Sequence, residues 1–434
     1  MPSGITAQEL YEAAVAGNAA LLLQGLPKLG EDEQQAWLKD SILRATYEGR
    51  AEAVKALVEV RASPASVDGL GQTPLHWAAR QGLDTIARNL VHLKAEVDAR
   101  NQEGVTPLHL ACQHNAGAIV SLLVGQRADP TTASVDKRTA LHMAAEHGSN
   151  VAAAVLLETC KKEDSRDADG HAKGHALLER ENERGETPLA RAAARGHATV
   201  VQLLMRSGAD AEHANWWVQR PLHLAAHGGY VGAAAVLLDF QADVNATSQD
   251  GSTALHASVE RGHTQVVELL LSHMADLRMM SAGGRTPLHV AAEKGYAEAA
   301  EALLASGADP EARTDDARTP LSYAAARGHV AAVCKLMDFK ADVQALDNVR
   351  QTALHHAAAN GRAEVIEPLV NKRARLDQKD GSNRSPIQLA LDSRQDGVVR
   401  MLLKLGASLP EMEAQDPKLQ PMIREIETEV LQEQ

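Results

Sequence analysis

The chain has 434 residues, a formal net charge of −13, and 44% hydrophobic but only 3% aromatic residues. The charge balance opposes a nucleic-acid partner, because neutralising phosphates needs a basic face. An apolar content carried by Ala and Leu favours close-packed helices over sheets. Cys112, Cys160 and Cys334 form no CxxC pair, which suits a reducing compartment. The start, MPSGITAQELYEAAVAG, lacks the basic-then-apolar pattern of a secretory signal. No run of about 18 apolar residues predicts a membrane span. The expected location is the cytoplasm, with the nucleus as the alternative.

One phrase recurs along the chain. It is degenerate as QELYEAAVAG from Gln8 and DSILRATYEG from Asp40, then clear as TPLHWAARQG from Thr73 and TPLHLACQHN from Thr106. It returns at Thr139, Thr187, Arg220, Thr253, Thr286, Thr319, Thr352 and Ser385. From Asp40 on the step is 33 residues, except for 48 between Thr139 and Thr187. Twelve units thus fill about residues 1–410, with an insertion at about 161–175 and an acidic segment at 411–434. A length that would otherwise suggest about three globular domains is a single repeat array.

The phrase has a physical reading. Thr is an N-cap whose hydroxyl accepts a free backbone N–H of the first turn. Pro follows at the first helical position, where its missing N–H costs nothing. Leu and the Ala pair then share one helix face. Gly (Asn115 and Arg394 in two repeats) comes nine positions after the Thr slot and ends the helix at positive φ. A second helix follows, such as HTQVVELLLS from His263, with Val266, Val267, Leu269 and Leu270 on its apolar stripe. A short extended finger leads to the next Thr. One unit cannot bury its own apolar face, so stability comes from stacking, and polar Gln8, Glu9 and Asp40 suit an end facing water. The segment 411–434 reads as a broken start followed by a helix with Ile423, Ile426 and Val430 on one side.

The period and the TPLHxAA phrase resemble the ankyrin repeat. The resemblance implies an all-α ankyrin repeat solenoid of helix-turn-helix units with β-hairpin-like fingers, curved around a concave groove. It implies that His76, His109, His142, His223, His256, His289 and His355 bridge adjacent repeats through hydrogen bonds. It also makes Asn245, in the Asp243-Val244-Asn245 turn, a candidate for hydroxylation. The sequence departs from the family where the second helix ends. Arg61, Lys94, Arg127, Gln241, Met274, Lys340 and Arg373 stand where Gly is usual. Positive φ is expected there, with the cations compensating at helix C-termini; a basic ligand-binding row is the alternative.

No HExxH, GxSxG, Walker or GxGxxG motif is present, so no enzyme activity and no cofactor are expected. In the insertion, Asp167, Asp169 and Gly170 only partly match a calcium loop, and Cys160, His171 and His175 lack a fourth zinc partner. The partner-binding candidates are Trp216 and Trp217 in one finger, Met279 and Met280 in another, and Trp77, Arg191, Tyr323 and His356 at the variable slot of TPLHxAA. Exposed aromatics and adaptable methionines mark contact surfaces. The insertion, with Ala190 and Arg191 in place of His and Leu, predicts a weak seam between repeats five and six. The expected function is a scaffold or adaptor that holds proteins, with membrane association only through a partner. A structural subunit of a stable assembly is the alternative reading.

Overall fold

Each recurring phrase opens a short helix in the computed structural model, which describes residues 6–162 and 177–408 together with 420, 421, 424, 425 and 428. Secondary structure among the described residues is helical, apart from one isolated bridge between Ser281 and Arg285. The chain divides into two compact bodies: Met1–Pro221 with Gly232–Ala242, and Leu222–Val231 with Asp243–Gln434. The insertion predicted at 161–175 lies outside the described residues, except that the helix Asn150–Lys162 reaches its first two. Most of 411–434 lies outside them too; of its described positions, Glu425 stands 3.5 Å from Arg400.

In the first body the inner helices of repeats one to six are Ala7–Val15, Glu31–Tyr47, Pro74–Gln81, Pro107–Gln113, Ala140–His147 and Pro188–Arg195. Their outer partners are Ala19–Gly25, Ala51–Glu59, Asp84–His92, Gly117–Gly125, Asn150–Lys162 and Ala198–Arg206. In the second body, repeats eight to twelve have inner helices Ala254–Glu260, Pro287–Lys294, Pro320–Arg327, Ala353–Ala359 and Pro386–Asp392. Their outer helices include Thr264–Ser272, Ala297–Ala305, Val330–Asp338, Ile366–Asn371 and Asp396–Lys404. The Leu of the phrase is at most 2% exposed from Leu75 through Leu354. Burying each such side chain contributes about 1.5–3 kcal/mol. On the outer helix from Thr264, Val266, Val267 and Leu270 are buried and Leu269 is half-buried.

Within each body, histidines tie neighbouring repeats together. The Thr73 N–H donates to Nδ1 of His76 at 3.1 Å, so the ring proton sits on Nε2. That Nε2–H donates to the Val105 carbonyl of the next repeat at 2.9 Å. The same link runs from His109 to Arg138, His142 to Glu186, His223 to Ser252, His256 to Arg285, His289 to Arg318 and His355 to Arg384. Burial disfavours the imidazolium, holding His109, His142 and His289 down at about 4 and lowering His76, His256 and His355.

Helix ends follow the predicted chemistry. Gly82 ends its helix at φ 70°, and the replacement Asn115 takes φ 57° in the equivalent place. At the outer helix ends Arg61, Lys94, Arg127, Gln241, Met274, Lys340 and Arg373 all adopt φ between 62° and 72°. Conformations of this kind cost roughly 1 kcal/mol or more for a residue with a Cβ, so stacking outweighs local preference seven times over.

The predicted weak seam is corrected by the direction of the bridges. Each histidine reaches forward, so the bridge between repeats five and six belongs to His142, which is present and bonded to Glu186 at 3.0 Å. Ala190 removes a bridge one repeat later.

Candidate functional site

Fingers are built by one local rule. A residue five positions before the Thr slot donates its N–H to the carbonyl just before the slot, as in Asp68 to Gln72 and Asn215 to Gln219, each 3.0 Å. Its side chain accepts the N–H groups two and four residues on, closing the tip as an Asx turn. Successive tips join by further bonds, such as Gln102 N–H to the Leu70 carbonyl and Trp216 N–H to the Arg184 carbonyl.

The finger of repeat seven stands out in the first body. Asn215 Oδ1 accepts from Trp217 at 3.0 Å and from Gln219 at 2.9 Å, which fixes the tip. Trp216, Trp217 and Val218 are 62%, 49% and 40% exposed. The Trp216 indole lies over Gly185, where an added Cβ would collide with the ring. Val218 sits at φ 58°, in the slot that Gly71, Gly104 and Gly185 fill in other fingers. A β-branched residue is a genuine outlier there. Sequence reasoning missed Val218; its signal was the glycine recurring at this finger position.

Met279 and Met280 lie in the second body, in the finger of repeat nine. Met280 is 54% exposed and Met279 half-buried. Met274, at a helix end where Gly is usual, is 83% exposed and was also missed.

The variable slot of the inner helix is more enclosed than expected. His356 is 4% exposed, and its Nε2 lies 2.9 Å from Asp347 Oδ2 at the base of its own finger. It faces the fold and is withdrawn as a contact residue. Trp77 uses the same geometry: its Nε1–H donates to Asp68 Oδ2 at 3.0 Å, and its ring packs edge-on against Tyr47. Tyr323 is half-buried, edge-on to the His289 ring at 5.7 Å. A side chain in this slot spans the elbow between finger and helix, so it serves the repeat before it can serve a partner.

Arg191 enters a cluster of charges. Its guanidinium donates to Glu146 and, at 3.2 Å, to Glu186. Arg138 and Arg195 also reach Glu146, at 3.0 and 2.8 Å, and His197 Nε2–H donates to the Glu146 carbonyl. Burial alone would raise the Glu146 carboxyl; the Arg195 hydrogen bond and the Arg191 charge outweigh it and hold the group at about 2. A polar cleft of about 310 Å³ opens here, lined by the three arginines and two glutamates with Asp136, Asn182, Glu183 and Arg184. With the Arg191 side chain only 14% exposed, its task is the junction itself.

Asn245 is half-buried, and its side-chain carbonyl accepts the Asp276 N–H at 2.8 Å, linking two turns. Among the described residues no group of three or more His, Cys, Asp or Glu side chains could hold a metal ion. The partial calcium and zinc patterns around Asp167, Asp169, Cys160, His171 and His175 fall outside the residues whose side chains are described. No helix among the described residues is long and apolar enough to cross a membrane.

A family model described as ankyrin repeats (3 copies) matches residues 10–101, 42–134, 90–169, 119–215, 168–248, 222–314 and 321–413. Among solved structures, the human ASB11 ankyrin repeat domain is similar at 29% identity and a TM-score of 0.48. That match covers 52% of this chain and 100% of the other. No curated protein matches.

Proposed function

The chain belongs to the ankyrin repeat family, whose repeats are in general protein-interaction modules, and from that premise we propose that it is a scaffold or adaptor whose main contact is the finger of repeat seven. The observation that carries this reading is the contiguous exposed apolar tip Trp216-Trp217-Val218, held open by Asn215 and by a valine at positive φ. Strained backbone persists where the surrounding structure over-determines it, and it concentrates at ligand clamps. Two indoles offer large contact area with few rotatable bonds. The second body contributes Met280 and Met274 as a separate adaptable patch. Trp77, Arg191 and Tyr323 support the surface from within rather than forming it. In this reading the scaffold acts by binding alone. Its proposed setting is cytoplasmic or nuclear, which the sparse cysteines of the sequence, with no CxxC pair, suggest. Asn245 would enter as a modification site only after releasing the Asp276 N–H.

The test is a double substitution, Trp216→Ala with Trp217→Ala, in the full chain. Partner retention on co-purification from the native source should fall at least about tenfold, as expected for hot-spot aromatics, while helical circular dichroism stays unchanged. Full retention by a folded double variant would overturn the assignment. Partners that stay bound in high salt at fixed stoichiometry would favour a structural subunit over an adaptor.

A further inference from the structure

The second body carries a cationic cleft that the aromatic finger does not explain. Its volume is about 490 Å³, and it is lined by Arg350, Arg375, Asp377, Gln378, Lys379, Asp380 and Asn383. The two fingers that form it are joined by the Gly381 N–H donating to the Val349 carbonyl at 2.8 Å. Arg350, Arg375 and Lys379 are exposed, and none has a side-chain ion pair or hydrogen bond among the described residues. Elsewhere in this body Arg285, Arg318, Arg327, Lys335, Lys372 and Arg384 have carboxylate partners, and what sets the cleft apart is that three cations without one line the same opening. Nor can the nearest buried acid neutralise them. Asp380 has a side chain 2% exposed, and its oxygens are taken up by Arg384, Gln351 and the Ser382 and Arg384 N–H groups.

Three such cations, in a chain of net charge −13, face outward beside one exposed carboxylate, Asp377, and so leave the cleft with an excess of positive charge. From this we infer that the cleft between the fingers of repeats eleven and twelve docks a short acidic segment of a partner protein. Arg350, Arg375 and Lys379 take its carboxylates, and the amides of Gln378 and Asn383 serve its backbone. Asp377 is also exposed on the rim. It tolerates carboxylates spaced along a peptide but repels an unbroken track of phosphates, and the chain's overall charge works against a nucleic acid in the same direction. The cleft is small enough that contact is local, so binding is modest and sensitive to salt.

The experiment uses the full chain and a labelled peptide of alternating Glu and Ser, read by fluorescence anisotropy at low and at physiological salt. Arg350→Glu with Arg375→Glu and Lys379→Glu should weaken binding at least about tenfold. Lys39→Glu with Lys55→Glu and Arg88→Glu makes the same charge change on exposed residues of the other body and should leave binding within about twofold. Equal losses in both triple variants would reduce the effect to net charge and overturn the proposal. So would an unaltered affinity in the first variant, or no binding by the unmodified chain. A single-stranded oligonucleotide of matched charge binding more tightly than the peptide would overturn the choice of partner. A rise of about tenfold in peptide affinity on removing residues 409–434 would also overturn it, by assigning the cleft to the chain's own acidic segment.

Discussion

The junction of repeats five and six and that of repeats nine and ten share one plan, yet confine different amounts of charge. In each, a glutamate is held between an arginine before its own Thr slot and an arginine late in the next inner helix: Glu146 by Arg138 and Arg195, Glu293 by Arg285 and Arg327. In each, a histidine of the next repeat donates to that glutamate's carbonyl, His197 or His329. The difference lies in the variable slot. Arg191 brings a third guanidinium to Glu146 and pairs with buried Glu186, whereas Tyr323 places a ring against His289. The Glu146 carboxyl is held at about 2, and Glu293 is also lowered, its burial opposed by Arg327 and Arg285. The junction beside the 48-residue step is therefore the more heavily tied of the two.

Acid should affect both junctions together, and most strongly. Buried His142 and His289 have pKa values lowered from 6.5 to about 4. Such groups contribute stability that is complete above the unfolded value of 6.5 and is lost as pH falls toward 4, because the unfolded chain binds the protons first. Hydrogen exchange followed across that window should show protection falling at both junctions, and His142→Gln or His289→Gln should flatten the local pH dependence. Glu146 acts in a lower window, stabilising above about 4.5 and losing its contribution toward about 2. Loss at one junction alone between pH 6.5 and 4 would break the shared plan.

Removing the glutamates separates the junctions. Glu146→Ala takes the shared carboxylate from three guanidiniums, leaving Arg191 with Glu186, Arg138 with Asp136 and Arg195 with no ion pair, and should cost about 2–3 kcal/mol in urea unfolding. Glu293→Ala strands two more exposed ones and should cost about 1 kcal/mol. Equal costs would mean that Arg191 adds nothing to the junction.

The smallest effect is expected from the inserted chain. Deleting residues 165–174 shortens a connection whose closure entropy changes only slowly with length, so the stability of the neighbouring repeats should move by about 0.5 kcal/mol or less. A large loss of helicity would show that the insertion, rather than the Glu146 cluster, holds the junction.

Much of the fold was legible because repetition multiplies weak local signals. Thr, Pro, His and Gly at fixed offsets give cap, first turn, bridge and stop, and each of the seven predicted histidines finds its carbonyl. Arg61 and its six counterparts could be assigned positive φ from register alone, since the stack fixes the backbone whatever side chain it carries. The surface was less legible. Slot position placed His356 on the inner helix but gave no sign that Asp347 would draw it inward. Trp216 and Trp217 read as exposed because fingers stand out from the packed helices, and they are 62% and 49% exposed.

The sequence by itself determined the period, the caps, the direction in which the apolar faces stack and the positions of the bridges, since these follow from residues within one repeat of each other. Only the tertiary structure decided which charges find partners: that Arg191 closes a junction, and that Arg350, Arg375 and Lys379 are left without an ion pair among the described residues. Those outcomes depend on side chains brought together from different fingers and helices, at separations that no local offset encodes.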